Sequence, residues 1–485
     1  MSLPFIGRVQ EIETIKDLYQ KKTASLVVLK GRRRIGKSRF LEEVGQDCRF
    51  IRLTGLPPTA QTSAQSERDE FASQLARVLQ LPPLKASDWT DLFLFLDRET
   101  KGSPLGSAGK TKVMIVFDEI SWMGSKDPNF LGKLKTAWDE NFKQNNQLVF
   151  VLCGSISAWI EDNILKHTGF VGRLSLVLTL KELSLKDSVL LLKAVGFKGP
   201  PMEILKILAI TGGVPRYLEE IRADRLADEN IRSLCFKEEG VLVREFQEIF
   251  VDIFSRRSEL YQAIVSVLSE GDSELSEIAE RSKLSKNGRL SEYLEDLIAS
   301  GFVQRDFTWN LKNGEPSLLS HYRLSDNYLR FYLKYIEKNR LKIANQYFKN
   351  RSIQNLPGWE GIMGLQFENL VLNNRILLWE KLHIQPEDIV SDNPYFQRPQ
   401  LRKQGCQIDY LIQVRSNVLY VCEIKFSKNP LGLSVIQELQ SKIKKLSLPR
   451  GYAAVPVLIH VGGVLDSVLE SDYFIKIIDY AEFLN

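Results

Sequence analysis

The stretch that most constrains this chain is residues 31–38, which fit the pattern G-x-x-x-x-G-K-[ST]. An apolar run at 26–29 precedes it, and a run with helical character at 39–44 follows it. Such an order of strand, glycine-containing loop and helix binds phosphate, because glycines let the backbone approach the anion and a helix N-terminus presents free N–H groups to it. The sequence therefore predicts a P-loop and a bound nucleotide, with Gly31 and Gly36 shaping the loop.

The residues that would act on this nucleotide follow from the same pattern. Lys37 is predicted to reach the outer phosphates, and Ser38 to hold Mg²⁺. Residues 113–117 form a continuous apolar run that ends in Asp118 and Glu119, as in a buried parallel strand. Ligands of open α/β sheets gather at the carboxyl ends of strands, so Asp118 is predicted to hold Mg²⁺, directly or through water. Glu119 is predicted to orient or deprotonate the attacking water.

Two later positions have both a functional and a structural interpretation. Ser155 follows the apolar run 148–152. On a strand beside the P-loop strand it would hydrogen-bond the γ-phosphate or the attacking water, but a strand-ending turn explains it equally well. Arg173 precedes another apolar run, 174–178. It is predicted to stabilise charge on the transferred phosphoryl group, in cis or across a subunit boundary, and the alternative is a solvated or salt-bridged arginine.

The composition is that of an ordinary soluble globular protein, with 44% apolar and 26% charged residues. The 485 residues suffice for about three domains. No apolar run approaches the roughly 18 residues of a membrane span, and the N-terminus lacks the features of a signal peptide. Five scattered cysteines without a C-x-x-C pair predict reduced thiols in a cytoplasmic protein. The net charge of +5 permits nucleic-acid binding without requiring it.

Six short segments stand in a distinctive order: FIGR (5–8), GRRRIGKS (31–38), DE (118–119), CGS (153–155), GR (172–173) and GGVPRYL (212–218). As a set they resemble the prokaryotic archaeal-type ATPase family, close to the AAA+ and STAND ATPases. The resemblance implies ATP hydrolysis by an α/β domain with a parallel sheet, a central P-loop strand and a helical lid. It also implies that Phe5, Gly7 and Arg8 lie near the adenine. Pro215 and Arg216 would lie in a lid segment that senses the nucleotide.

The middle of the chain has a pattern of its own. Residues 258–325 read as a helix, a helix-turn-helix and a β-ribbon, which is the order of a winged helix. In DNA-binding versions the second helix of the turn enters the major groove. Acidic residues farther along this helix reduce its positive charge. Its start offers basic and polar side chains that could contact phosphates: Lys283, Lys286, Asn287 and Arg289. DNA contact and a purely structural packing role both remain open.

A second group of charged residues lies on two predicted strands near the C-terminus, 407–412 and 419–425, which a hairpin at 415–417 joins. Residues two apart on a strand share a face, so Glu423 and Lys425 point the same way, and a carboxylate at 409 can meet Glu423 across the pair. Two carboxylates at this separation make a Mg²⁺ site, for which Asp409 and Glu423 are the predicted ligands. A lysine beside them positions water and stabilises charge.

This D…E-x-K arrangement resembles the PD-(D/E)xK nuclease superfamily, and in particular the nuclease-like domain that often follows archaeal-type ATPases. The resemblance implies a catalytic role for Glu368 on an earlier helix, and Gln437 on the following helix is predicted to add a polar contact. Metal-dependent cleavage and a non-cleaving nucleic-acid or scaffold role both remain open. Three basic residues before Asp409 are predicted to hold a nucleic-acid backbone: Arg398, Arg402 and Lys403.

The predicted organisation has five parts: a P-loop ATPase core (1–182), a helical lid (183–255), a winged helix (256–330), a helical linker (331–357) and a PD-(D/E)xK restriction-endonuclease-like α/β domain (358–485). The predicted function is ATP hydrolysis coupled to a Mg²⁺-dependent DNA nuclease, in a chain that is able to form homo-oligomers. The alternatives are a STAND-like signalling or assembly ATPase with an inert nuclease fold, and a winged-helix DNA-binding regulator. The arginine side chains at 32–34 are predicted to face the lid, a partner or nucleic acid.

Overall fold

The computed structural model describes residues 3–101, 112–155, 158–254, 258–286, 288–399 and 404–485. The chain divides into two compact units, Met1–Glu182 and Leu183–Asn485. The described strands form one sheet in the first unit and two sheets in the second. The finer domain boundaries within the chain remain predictions. Within the described ranges, no helix combines the length and the apolar character that crossing a membrane requires.

The first unit alternates strands and helices along the chain. In order, its elements are α1 (Val9–Tyr19), β1 (Ser25–Gly31), α2 (Lys37–Gly45), β2 (Arg49–Thr54), α3 (Ala64–Leu79), α4 (Trp89–Lys101), β3 (Val113–Asp118), α5 (Phe130–Glu140), β4 (Leu148–Ser155), α6 (Ala158–Ile160) and β5 (Leu176–Leu180). The described strands form a five-stranded parallel sheet in the order β2-β3-β4-β1-β5. The predicted parallel α/β fold of this region is confirmed.

Helices cover both faces of this sheet, which explains its apolar strands. On one face, α1 and α2 pack against side chains that include Val27 and Leu29. On the other face, α3, α4 and α5 pack against Phe117 and Phe150. Strands β3 and β4 are buried along their whole length, as expected for strands that are covered on both sides.

The P-loop strand β1 lies between β4 and β5. The prediction that the strand ending in Ser155 lies beside it is thus confirmed. The expectation that β1 is the central strand is corrected, because β4 occupies the middle of the sheet. Strand β5, beyond β1, is a partly exposed edge, whereas β4 is completely buried.

The second unit begins with helices and ends with an α/β arrangement. In order, its elements are α7 (Leu185–Val195), α8 (Pro201–Thr211), α9 (Pro215–Leu218), α10 (Ala227–Cys235), α11 (Val241–Phe254), α12 (Ser258–Leu268), α13 (Leu275–Ser282), α14 (Gly288–Ala299), β6 (Val303–Trp309), β7 (Pro316–Leu324), α15 (Asn327–Phe331), α16 (Arg340–Ala344), α17 (Trp359–Asn373), α18 (Ile376–Lys381), β8 (Ile389–Gln397), β9 (Cys406–Val414), β10 (Val418–Phe426), α19 (Ser434–Lys445), β11 (Ala453–Val461), α20 (Asp466–Leu469) and β12 (Lys476–Asp479).

Two sheets are found among the described residues of this unit. Strands β6 and β7 form an antiparallel ribbon. The other sheet has the order β12-β11-β10-β9-β8. It is antiparallel from β8 to β10 and parallel from β10 to β12. The predicted hairpin between β9 and β10 is present, and Asn417 in its turn has a φ of 59°, a left-handed conformation that asparagine tolerates better than most residues.

Buried polar contacts anchor the β6–β7 ribbon to the C-terminal part of the second unit. Arg323 Nε on β7 donates a hydrogen bond of 2.8 Å to Asp306 Oδ2 on β6, and a second guanidinium nitrogen donates to Asn369 on α17. Farther along the ribbon, Trp309 Nε1 donates a 2.5 Å hydrogen bond to Gln413 Oε1 on β9. Because these polar groups are almost fully buried, the ribbon and the C-terminal sheet depend on each other for satisfied hydrogen bonds.

Candidate functional site

The P-loop joins the end of β1 to the start of α2. A Cβ on Gly31 would approach Leu180 O to 2.8 Å, so only glycine fits there without a shift. Gly36 precedes α2 with a φ of 90°, a left-handed conformation that favours glycine. Lys37 Nζ donates hydrogen bonds to Gly31 O (2.9 Å) and Arg32 O (3.2 Å). The backbone of the loop thus positions the ammonium at the start of the helix.

Ser38 and Asp118 meet where the P-loop faces the end of β3. Ser38 Oγ donates a hydrogen bond of 3.1 Å to Asp118 Oδ2. A hydroxyl and a carboxylate are oxygen ligands of the type that Mg²⁺ prefers, so the pair fits the predicted ion. The next residue, Glu119, has a φ of 51°, and its N–H donates to Asp118 Oδ1 at 3.1 Å. A non-glycine residue in this conformation is strained, as residues at functional sites often are.

Ser155 ends β4 in register with Gly31. Its hydroxyl is buried and has no hydrogen-bond partner among the residues that the structure describes. A buried hydroxyl without a partner costs free energy. A phosphate oxygen or a water molecule at the P-loop would satisfy it, which agrees with the functional interpretation of this serine.

The segment from Phe5 to Arg8 is held beside the P-loop. Arg8 Nη2 donates to Ile35 O at 3.0 Å and to Lys181 O at 2.7 Å. The Phe5 ring centroid lies 6.5 Å from that of an aromatic residue on α2. Gly7, between them, has a φ of 73°. These contacts fix the segment next to the loop, while its role near the adenine remains a prediction.

Two arginines for which the sequence predicts other contacts, Arg173 and Arg32, form ion pairs within the first unit. Arg173 donates to both carboxylate oxygens of Asp139, at 2.8 and 3.0 Å. This hydrogen bonding by the guanidinium lowers the pKa of Asp139 to about 2. The salt-bridged alternative for Arg173 is therefore seen here, and its phosphoryl role remains a prediction. Arg32, one of the three loop arginines, is buried and contacts Glu182 of its own unit at 3.1 Å.

The predicted lid residues belong to the second unit. Pro215 is the first residue of α9, a position where the missing N–H of proline costs nothing. Arg216 Nη2 lies 2.6 Å from Glu220 Oε1, and Arg216 Nη1 lies 3.9 Å from Glu219 Oε2. Its sensing of the nucleotide remains a prediction.

Asp409 and Glu423 come together at the end of the β9–β10 hairpin. Asp409 Oδ2 accepts a hydrogen bond of 2.9 Å from the N–H of Ile424. Both carboxylates contact one ammonium, that of Lys442 on α19, at 2.9 Å from Asp409 Oδ1 and 2.7 Å from Glu423 Oε2. Lys425 Nζ lies 3.0 Å from Glu423 Oε1. The structure thus brings the three predicted residues together and adds a fourth, Lys442, that the sequence reasoning missed.

The carboxylate pair is a partial metal site. Within the described residues, no group of three or more His, Cys, Asp or Glu is arranged to hold a metal ion. Asp409 and Glu423 fit Mg²⁺ by chemistry, since this ion binds through one or two carboxylates and keeps several waters. Glu423 is fully buried, and burial together with the charge of Asp409 raises its pKa. The ammonium of Lys442 opposes this shift and favours the ionised form of Glu423.

Glu368 lies on α17 in the same unit. Burial is the main cause that raises the pKa of Glu368 above its ordinary value, and the negative charge of Asp409 adds to the effect. The catalytic role that the resemblance implies for Glu368 remains a prediction.

The other predicted residues near this site lie apart from the carboxylates or in undescribed segments. Gln437 is on α19, where it lines a polar cavity of about 740 Å³, and no hydrogen bond joins it to either carboxylate within the described ranges. Arg398 pairs with Glu274, 2.9 Å from Nε to Oε1. Lys283, Lys286 and Arg289 are exposed at their side chains. The predicted residues outside the described ranges are Asn287, Arg402 and Lys403.

Comparison with known proteins identifies the N-terminal region. A family model described as an ATPase domain predominantly from Archaea matches residues 5–221. An uncharacterized protein of Methanocaldococcus jannaschii is 24% identical over 372 residues, which are 76% of this chain and 76% of that protein. The solved structure of a Walker-type ATPase of Pyrococcus abyssi matches with a TM-score of 0.51 and 17% identity, covering 68% of this chain and 96% of that one. The chain thus contains an archaeal-type ATPase domain with the fold of a Walker-type ATPase, which supports nucleotide binding and ATP hydrolysis.

Proposed function

We propose that this chain couples ATP hydrolysis at the P-loop to Mg²⁺-dependent cleavage of DNA at its C-terminal carboxylate pair. The proposed DNA cleavage rests on one observation: Asp409, Glu423 and Lys425 lie together at the end of one β-hairpin. Without it, the D…E-x-K pattern would be only a spacing in the sequence. The proposal therefore joins an ATPase domain to a site with the residue types of a metal-dependent nuclease.

In the proposed ATPase reaction, the P-loop and Lys37 hold the phosphates, and Ser38 and Asp118 hold Mg²⁺. The ion, when bound, neutralises charge that develops on the transferred phosphoryl group. Glu119 orients the attacking water or takes its proton. Ser155 donates to the γ-phosphate or this water, which would satisfy its buried hydroxyl.

In the proposed nuclease reaction, Asp409 and Glu423 hold the divalent ion, which supplies Lewis-acid activation of the phosphodiester. Lys425, fixed between Glu423 and Glu438 at 3.0 and 2.7 Å, positions water and stabilises the charged transition state. Glu368 on α17, Asp409 on β9, and Glu423 and Lys425 on β10 follow one another in the order that the PD-(D/E)xK resemblance implies, which supports this assignment. Glu368 on α17 would add a carboxyl to the site.

The part of the sequence that lies between the P-loop and the C-terminal carboxylate pair supplies the proposed contact with DNA. Helices α12, α13 and α14 followed by the β6–β7 ribbon have the element order of a winged helix. The exposed side chains of Lys283, Lys286 and Arg289 lie around the start of α14, where phosphate contacts are made in such domains. The anchoring of the ribbon through Trp309 and Gln413 also fits a packing role.

A second candidate is a STAND-like assembly ATPase whose nuclease fold does not cut. The observation that favours it is the ammonium of Lys442 between Asp409 and Glu423. A permanent internal cation would neutralise charge on the two carboxylates and exclude a catalytic ion. In that case ATP would change the association state of the chain, which light scattering with ATP, with ADP and without nucleotide would detect.

Cleavage of labelled single- and double-stranded DNA separates the two candidates. The full chain is incubated with Mg²⁺ and with ATP, ADP or neither, beside Asp409→Ala and Lys425→Ala. We expect each variant to lose cleavage by roughly 10²-fold or more, while Lys476→Ala, an exposed lysine on β12 of the same sheet, cuts as the wild type does. If the wild type leaves both DNAs intact under every nucleotide condition, the nuclease proposal is rejected.

A further inference from the structure

The ammonium of Lys442 lies between the two carboxylates of the C-terminal site, 2.9 Å from Asp409 Oδ1 and 2.7 Å from Glu423 Oε2. The side chain of Glu423 is 0% exposed, and those of Asp409 and Lys442 are 16% and 27% exposed. Charge-assisted hydrogen bonds gain strength where water is largely excluded. Lys442 is therefore a cation that the chain itself supplies to this pair.

Helix α19 places Lys442 there by its periodicity. Val435 and Leu439 are buried on the helix, and Lys442 continues their stripe at spacings of four and three residues, so it faces the sheet. Lys444, two residues farther on, is exposed. The helix therefore presents one lysine to the carboxylates and another to solvent.

The oxygen atoms that Lys442 contacts are among those that a divalent ion would bind. Asp409 Oδ2 already accepts a hydrogen bond from the N–H of Ile424, so, apart from Lys442, Oδ1 has the greater lone-pair capacity left for an ion. Glu423 Oε1 is buried and accepts no hydrogen bond within the described residues, although the Lys425 ammonium lies 3.0 Å away as an ion pair. An ammonium and a metal ion placed between the same two carboxylates would repel each other at close range.

We propose that the Lys442 ammonium occupies the divalent-ion position of this site, so that a divalent ion binds Asp409 and Glu423 only by displacing it. The inference rests on the metal-dependent function proposed for the pair. In this proposal Lys442 determines how tightly the carboxylate pair binds a divalent ion. It is a positioning residue, and its side chain must move before the ion binds.

Binding of Mn²⁺ to the nucleotide-free full chain, followed by the electron paramagnetic resonance signal of the free ion, tests this displacement. Lys442→Met removes the competing charge and retains a side chain of similar length. We expect it to bind Mn²⁺ roughly 10- to 100-fold more tightly than the wild type, and adding Asp409→Asn to it abolishes the gain. The matched control, Lys444→Met, removes the same charge from the same helix and keeps wild-type affinity. Equal or weaker binding by Lys442→Met, or an equal gain in Lys444→Met, overturns the proposal.

A measurement on the wild type does not depend on the folding of a variant. Acetylation of lysines, read by mass spectrometry, is compared with and without Mn²⁺. Displacement predicts that Mn²⁺ increases labelling of Lys442 relative to Lys444, and unchanged relative labelling contradicts it. DNA cleavage is measured separately. If Lys442→Met binds Mn²⁺ more tightly but the wild type does not cleave DNA, only the proposed nuclease function is rejected. If the wild type cleaves DNA but Lys442→Met binds Mn²⁺ as the wild type does, only the proposed role of Lys442 is rejected.

Discussion

The Ser38 hydroxyl donates a 3.1 Å hydrogen bond to Asp118 Oδ2, so the P-loop and the end of β3 present two oxygen ligands at one point. If this point holds Mg²⁺, Ser38→Ala and Asp118→Asn each lower ATP turnover by roughly 10²-fold or more, because the ion contributes several kcal/mol of charge stabilisation. Phosphate release at saturating ATP and Mg²⁺ measures the loss. Ser73→Ala, exposed on α3, is the matched control. Normal turnover by Ser38→Ala would remove the hydroxyl from the proposed metal site.

Arg173 and Asp139 allow a test of the predicted phosphoryl contact. If Arg173 leaves Asp139 to stabilise the transferred phosphoryl group, Arg173→Ala lowers ATP turnover by about 10³-fold with little change in ATP affinity. Asp139→Ala breaks the same ion pair but keeps the arginine, so it retains turnover. Single-turnover hydrolysis and nucleotide titration report the two quantities. If Arg173→Ala and Asp139→Ala hydrolyse ATP at the same rate, the ion pair is structural and Arg173 has no separate role in phosphoryl transfer.

Gln413 satisfies two buried polar groups of the ribbon at once. It accepts from Trp309 Nε1 at 2.5 Å and donates to Leu311 O at 3.0 Å. Gln413→Ala leaves both without a partner, so we expect a loss of about 2–3 kcal/mol in the free energy of unfolding, measured by urea denaturation. Tryptic cleavage after the exposed Lys312 should also become faster. Gln407→Ala, exposed on the same strand, should change neither, and equal effects of the two substitutions would count against a specific anchor.

Much of the fold was predictable because it is encoded over short stretches. The P-loop lies within eight consecutive residues, and the strands that end in Asp118 and Ser155 are continuous apolar runs whose burial the structure bears out. The pairing of β9 with β10 was also encoded locally, since a short turn fixes which residues of the two strands face each other. The meeting of Asp409 with Glu423 followed from that pairing.

Contacts between distant segments were not predictable in the same way. The sequence suggested Gln437 as the polar residue of α19, but the helix turns Lys442 toward the carboxylates. The available signal was the stripe of Val435 and Leu439, which Lys442 extends; a charged residue on a buried stripe indicates a buried partner. The pairing of Trp309 with Gln413 joins residues about a hundred positions apart, and no local pattern encodes it.

A half-buried carboxyl near the ribbon, that of Asp272, makes stability depend on pH. Burial raises the pKa of Asp272 to about 6; the charge of Arg323 opposes this shift and that of Asp306 reinforces it. Because the folded pKa lies above the ordinary value of 3.8, Asp272 imposes no penalty at low pH. As the pH rises through the interval between the two values, the unfolded chain loses the proton first and the folded state is destabilised.

The resulting difference is measurable as a change in the pH profile of unfolding. Between pH 4 and pH 7 the wild type should lose about 2 kcal/mol of stability relative to Asp272→Asn, since each pKa unit corresponds to about 1.4 kcal/mol and part of the effect is already present at pH 4, above the ordinary pKa of 3.8. Urea denaturation of the full chain at several pH values measures it. Asp472→Asn, an exposed position of the same unit, should keep the wild-type profile. Parallel profiles for the wild type and Asp272→Asn would show that this carboxyl ionises in the folded state as readily as in the unfolded chain.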